Sequence, residues 1–155
     1  MEIERKFLVD EDHLPFSLTD YPCRQIEQGY LCTDPVVRIR REDDTYILTY
    51  KSKGYLAREE YNLPLSEEAY LHLKPKIDGR LIQKKRYLIP DGENHTIELD
   101  VFEGELAPLI LAEVEFSDEP AAKTYIPPKW FRKEVTYMPE YHNSFLSIQQ
   151  HIVAI

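Results

Sequence analysis

A chain of 155 residues with 43% hydrophobic and 30% charged side chains has the composition of one globular domain, spanning 1–155, large enough for a real core. Its net charge of −9 argues against nonspecific binding to DNA or RNA, and no apolar run approaches the ~18–20 residues of a membrane span. Cys23 and Cys32 make neither a disulfide framework nor a zinc site and read as reduced thiols of a cytoplasmic protein; candidate functional residues begin at Glu2, so no removable leader is expected.

The predicted elements form a meander of strands with few helices. Residues 1–9 open it, with Glu2, Glu4 and Lys6 alternating with Ile3, Arg5 and Phe7, so the three charged groups share one face of the strand. After a Pro- and Asp-containing loop over 13–22, residues 24–32 are extended through Gln28-Gly29-Tyr30-Leu31. Asp34-Pro35 turns into a strand over 36–41, Asp43-Asp44 makes a hairpin turn into 46–53, and Gly54 turns into 56–63. Ser66 is the N-cap of a helix with Glu67 and Glu68 in its first turn, running to about residue 74. Strands follow over 80–89, 96–102 and 109–116, separated by Asp91-Gly92 and Gly104. Pro127-Pro128 opens a turn around Trp130, and 140–155 closes the chain as an amphipathic helix whose core stripe is Tyr141, Phe145, Ile148 and Ile152.

Sorted by parity, one face of these strands carries Glu2, Glu4, Lys6, Arg38, Arg40, Lys51, Lys53, Arg58, Glu60, Lys84, Arg86, Glu98, Asp100, Glu113 and Glu115. The opposite face is mostly apolar: Ile3, Phe7, Val37, Ile39, Leu48, Tyr61, Leu99 and Val114 are typical. Arg5 and Arg41 break the apolar pattern near sheet ends, where arginine can snorkel. Surface salt bridges on a one-sided sheet are the plainer explanation, but such pairs contribute only ~0–1 kcal/mol each. They also leave Arg-x-Arg, Lys-x-Arg, Glu-x-Asp and Glu-x-Glu pairs repelling along single strands. A phosphate chain between the basic pairs and divalent cations between the carboxylate pairs supply the missing compensation. The pattern therefore predicts a closed sheet with a charged interior and an apolar exterior covered by helices. The interior is close to neutral, so the acidity of the chain lies outside it and does not oppose an anionic ligand.

Glu2-Ile3-Glu4-Arg5-Lys6 resembles the N-terminal signature of the CYTH superfamily, the triphosphate tunnel metalloenzymes. The resemblance continues through Gln28-Gly29-Tyr30-Leu31, Val37-Arg38-Ile39-Arg40, Thr49-Tyr50-Lys51, Arg58-x-Glu60, the segment from Leu81 to Tyr87, Glu98-Leu99-Asp100-Val101-Phe102, Leu111-Ala112-Glu113-Val114-Glu115 and Lys133-Glu134-Val135-Thr136. It implies a mainly β fold, an eight-stranded antiparallel barrel or tunnel with a charged lumen and flanking helices. It also implies a triphosphate-containing substrate and a requirement for Mg²⁺ or Mn²⁺.

Hard divalent cations take oxygen ligands, so Glu2, Glu4, Glu113 and Glu115 are the first metal candidates, with Glu60, Glu98 and Asp100 behind them. Lys6, Arg38, Arg40, Lys51, Arg58, Lys84 and Arg86 are the candidates to grip a polyphosphate, arginine by bidentate contacts. Similarity to the short bacterial branch implies that Tyr30 pairs with Lys84 near the scissile phosphate, as the catalytic pair. His13, His72, His95, His142 and His151 have no ligand spacing and are expected at the surface, and Lys133 either reaches the tunnel mouth or caps a turn. No glycine sits in a Walker context. The expected activity is metal-dependent hydrolysis of tripolyphosphate. The alternatives are an adenylate cyclase or a nucleoside or thiamine triphosphatase of the same fold, and a non-hydrolytic polyphosphate or nucleotide sensor. The expected partner is a small anionic triphosphate, with no nucleic acid and no membrane; a homodimer is left open.

Overall fold

In the computed structural model, which describes residues 1–148, ten strands join in one antiparallel sheet. They are β1 (Glu2–Val9), β2 (Cys23–Thr33), β3 (Val36–Glu42), β4 (Thr45–Lys51), β5 (Ala57–Arg58), β6 (Glu60–Pro64), β7 (Asp78–Asp91), β8 (His95–Phe102), β9 (Ile110–Glu115) and β10 (Phe131–Glu134). The order β10-β1-β9-β8-β7-β2-β3-β4-β6 curls until β5 reaches β1, pairing Arg58 with Glu2 and Ala57 with Ile3. Since Glu59 alone separates β5 from β6, the two act as one broken stave, and eight staves make a nearly closed barrel. β10 is an addition, laid on β1 at residues 7–9. The strand predicted over 46–53 ends at Lys51, and neither β10 nor the helix α2 (Glu119–Thr124) was expected.

Register decides what faces inward. β1 pairs with β9 so that Glu4 lies opposite Glu115, Lys6 opposite Glu113 and Leu8 opposite Leu111. The inward row is therefore charged at one level of the barrel and apolar at the next. Leu8, Ile82, Phe102 and Leu111 fill the base from the strands, and Leu106, Val135, Tyr141 and Leu146 close it from below. The interior is a charged cup on an apolar floor.

The C-terminal segment reaches that floor by a close approach to β7. Gly79 has φ +68°, and a Cβ there would run into the Ser147 carbonyl, which accepts a hydrogen bond from the Arg80 amide at 2.7 Å. Up to residue 148, the segment expected to close the chain as a helix over 140–155 forms a 3₁₀ turn at Pro139–Tyr141 followed by the short α3 (Asn143–Leu146); 149–155 lie outside the described residues. Of the expected stripe, Tyr141 is buried, Phe145 and Ile148 are exposed, and Ile152 lies outside the described residues. Leu146 does the packing.

On the outside, Ile3, Phe7, Leu99, Ala112 and Val114 pack with Ala122 and Phe131, and Phe16 and Trp130 cover them from the loops. Arg5 does not snorkel. Its guanidinium donates at 2.8 and 2.7 Å to Glu134 and at 2.9 Å to the carbonyls of Ala122 and Tyr125, tying β10 and the end of α2 to β1. Helix α1 (Glu67–Leu73) starts as predicted, with Ser66 accepting from the Ala69 amide at 3.0 Å, and buries Tyr70. Helical cover is incomplete, however: Tyr50, Tyr61 and Leu63 stay exposed on the outer face of β4 and β6. Among the described residues no helix is long and apolar enough to cross a membrane.

Candidate active site

The cup encloses a cavity of about 250 Å³. Glu2, Glu4, Lys6, Arg38, Arg40, Lys51, Arg58, Glu60, Arg86, Glu98, Glu113 and Glu115 all line it, as the alternation predicted, and so does Tyr30, which only the resemblance had put there. Lys53 does not: β4 ends before it, and its ammonium is exposed beside Asp34. Lys84 and Asp100 are fully buried behind the wall. Lys133 is exposed on β10, outside the cavity.

The two signs of charge concentrate on different walls, although Lys6 of β1 sits among the carboxylates and Glu42 of β3 among the arginines. β1, β8 and β9 present carboxylates, with Glu4 opposite Glu115 and Glu98 opposite Glu113. Like charges in directly opposed positions destabilise a sheet. Among the described residues the Glu4 carboxylate takes no hydrogen bond or ion pair, and burial, Glu113 and Glu2 together push it up to about 7. Burial and the nearby Glu4 likewise raise Glu115. Glu113 goes the other way: burial opposes its charge, but Lys6, at 3.3 Å, and Arg86 hold it well below the usual carboxylate range. Glu2 is gripped by Lys51 at 2.9 and 3.0 Å and approached by Arg58 at 3.6 Å, and Lys51 also meets Glu60 at 3.3 Å.

Opposite stand Arg38 and Arg40 on β3, with Arg24 of β2 and Lys51 of β4. The Arg38 Nε is buried with no hydrogen-bond partner. Burial, Arg38 and Arg86 depress Arg40 to about 9, although Glu42 lies 3.9 Å from its guanidinium and Gln28 Oε1 accepts from its Nε at 2.8 Å. A buried, unsatisfied charged donor costs free energy until something accepts from it. This wall is built for an anion.

Beneath it, Asp100 accepts from Arg86 at 2.7 and 2.9 Å and from Lys84 at 2.7 Å. Both carboxylate oxygens are thus committed, which removes Asp100 from the set facing the cavity. Burial, against the pull of Asp100, brings Lys84 down to about 7. The expected Tyr30–Lys84 pair makes no direct hydrogen bond: Lys84 meets Asn143 Oδ1 at 3.1 Å, and the Tyr30 hydroxyl accepts from Gln28 at 3.4 Å.

Several lining residues escaped the sequence reading. Thr49 and Asn62 share the parity of Lys51 and Glu60, and Arg24 that of Gln28, so the alternation could have found them. His142, Asn143 and Ser144 carry no such signal, because they come from the C-terminal segment. His142 is buried and not at the surface as expected; burial and the nearby Lys6 lower it to about 4, and its Nε2 lies 2.9 Å from the Thr136 carbonyl. Since a carbonyl only accepts, that nitrogen carries the proton of a neutral ring.

Among the described residues no three His, Cys, Asp or Glu side chains are drawn close enough to hold a metal ion as they stand. The chemistry of the set nonetheless fits a hard cation: it is all oxygen, and Glu4 and Glu115 are raised by their acidic neighbours. The raised Glu4 has a consequence for stability. A carboxyl whose folded value of about 7 exceeds its ordinary 4.5 stabilises the fold fully below pH 4.5 and loses that contribution as pH climbs through 7. Without divalent cations, Glu4→Gln should therefore gain on the wild type by on the order of 2–3 kcal/mol between pH 5 and pH 8. Urea unfolding at both pH values measures it, and parallel behaviour of the two proteins would show that Glu4 is not strained.

The chain matches the CYTH domain family over residues 1–140. It is 42% identical over 152 residues to an inorganic triphosphatase of Nitrosomonas europaea, covering 95% of this chain and 97% of the relative. An inorganic triphosphatase of Acetivibrio thermocellus is 38% identical over 154 residues, covering 94% and 92%. The crystal structure of an inorganic triphosphatase superposes with a TM-score of 0.70 at 38% identity, covering 96% of this chain and 95% of that one.

Proposed function

This chain belongs to the CYTH domain family, and from that premise we propose that it hydrolyses inorganic tripolyphosphate within the charged cup. The observation that carries the reading is the pair Arg38 and Arg40: one has an unpartnered buried nitrogen and the other is a crowded, depressed cation, both on the wall of the cup. The relatives named inorganic triphosphatase support it, as does charge. The lining of the 250 Å³ cup is dominated by charged side chains, which suits a compact polyanion.

In this reading the basic wall binds the phosphate chain, with Arg38 and Arg40 giving planar contacts and Lys6, Lys51, Arg58 and Arg86 neutralising charge. A water attacks the terminal phosphorus, the bridging P–O bond breaks, and pyrophosphate and orthophosphate leave. The proton of that water leaves with the released phosphate. Charge developing on the bridging oxygen meets the positive field of Lys84 and Arg86. Mg²⁺ or Mn²⁺ held by Glu2, Glu4, Glu113 and Glu115, with Glu60 and Glu98 nearby, would supply further neutralisation of phosphate oxygens. The unpaired cysteines are those of a protein kept reduced, which supports a cytoplasmic setting.

The test is phosphate release measured on tripolyphosphate, ATP, thiamine triphosphate and long polyphosphate. Tripolyphosphate should be preferred, EDTA should abolish the activity, and Mg²⁺ or Mn²⁺ should restore it. Glu115→Gln should lose turnover while its far-UV spectrum stays native. Pyrophosphate as the product from ATP would replace the hydrolase with a cyclase, and full activity in EDTA would remove the metal.

A further inference from the structure

The two candidate catalytic side chains do not touch, yet one atom connects them. Asn143 Oδ1 lies 3.1 Å from Lys84 Nζ and 3.1 Å from Gln28 Nε2. Gln28 in turn donates to the Tyr30 hydroxyl at 3.4 Å and accepts from Arg40 Nε at 2.8 Å. The orientation of both amides follows from chemistry. An ammonium and a guanidinium have only donors, so Asn143 must turn its oxygen to Lys84 and Gln28 its oxygen to Arg40. That leaves the two Gln28 N–H groups for Tyr30 and Asn143.

We propose that Asn143 is a positioning residue: its single amide oxygen holds the Lys84 ammonium directly and, through Gln28, holds Tyr30 and Arg40 in the geometry the reaction needs. The proposal rests on the triphosphatase reading above. The barrel alone does not provide this atom. Lys84 is fixed on one side by Asp100 at 2.7 Å and on another by the face of Phe102, with its Nζ 5.3 Å from the ring centroid. Neither partner sets the direction toward the cavity, which Asn143 lines. Asn143 opens α3, and α3 is anchored independently, by Leu146 in the apolar floor and by Ser147 against Gly79. The C-terminal segment therefore carries a polar contact into the site from a rigid support, the arrangement that precise positioning requires.

Removing the oxygen without changing the bulk of the side chain isolates the effect. Asn143→Leu should lower kcat on tripolyphosphate by about 10–100-fold with KM within about twofold, because misplacement of a reacting group by ~1 Å is worth ~10²-fold in rate. Asn143→Asp keeps an acceptor for both donors and should stay within about threefold of the wild-type kcat. In a Lys84→Met background, Asn143→Leu should cost less than it does in the wild type, since only the branch through Gln28 is left to lose. A readout independent of turnover is the ¹⁵Nζ signal of Lys84, protected from exchange in the wild type and Asn143→Asp and broadened in Asn143→Leu. If Asn143→Leu does not fold, Asn143→Ala carries the same measurements. Wild-type kcat in the leucine variant, equal loss in the aspartate variant, or an unchanged Lys84 signal overturns the proposal. A wild-type protein inert toward tripolyphosphate instead overturns the triphosphatase reading, and the Lys84 signal still decides the role of Asn143.

Discussion

Replacing Arg38 and Arg40 together by alanine is expected to weaken tripolyphosphate binding by about 10²–10⁴-fold, since each charge-assisted hydrogen bond to phosphate contributes ~1.5–3 kcal/mol. The empty protein should respond much less. Arg40 is pressed down to about 9 by burial and by Arg38 and Arg86, so its charge works against folding at neutral pH, and Arg38 keeps a buried nitrogen without a partner. Removing both guanidiniums relieves that cost but takes the Arg40 hydrogen bond from the buried Gln28 oxygen, so the ligand-free double variant should melt close to the wild-type temperature. Tripolyphosphate at 100 times its Kd should stabilise the wild type by about 2.7 kcal/mol and leave the variant unmoved at the same concentration. Calorimetry with and without the anion reads both effects. Wild-type KM in the double variant would mean that these arginines do not meet the substrate. Weakened binding together with a collapse of stability would mean that they hold the barrel together.

Asp100→Asn should lower stability by about 3–5 kcal/mol, the usual cost of leaving a buried ion pair without one partner. Lys84, fully buried, and Arg86, nearly so, both lean on that carboxylate at 2.7 Å, and the neutral amide would leave two cations in each other's field. For a chain of this length the melting temperature should fall by ~6–20 °C, at about 2–4 °C for each kcal/mol. A metal ligand would behave differently. Its removal would raise the Mg²⁺ or Mn²⁺ concentration needed for activity while the metal-free protein melted as before. Thermal melts in EDTA and metal titrations of activity, run on the same variant, separate the two roles.

Much of the candidate site was legible because an antiparallel strand reports the facing of its side chains every second residue. Glu2, Glu4 and Lys6, then Arg38 and Arg40, then Glu113 and Glu115 reach the cavity wall because nothing interrupts the period along β1, β3 and β9. The period failed where a strand stopped: Lys53 has the right parity, but β4 ends two residues earlier. It was also read too narrowly. Leu8, Ile82, Phe102 and Leu111 share the inward rows with the charges and form the floor of the cup. A search for charge alone passes over them.

The sequence by itself determined the strands of the barrel other than β10, the separation of a charged from an apolar face, and, through its ordered motifs, the family. Only the tertiary structure decided the height of each residue within the barrel, because that depends on the stagger between strands distant in the chain. Arg86, for instance, meets Asp100 across β7 and β8 and Arg24 across β2 and β7. The third dimension likewise withdrew Asp100 and Lys84 behind the wall and brought Asn143 into the site from α3. Period two tells which way a side chain points from its own strand. Where it ends up is set by the partners that pack against it, and a C-terminal segment folded under a barrel leaves no periodic trace of the residues it will meet.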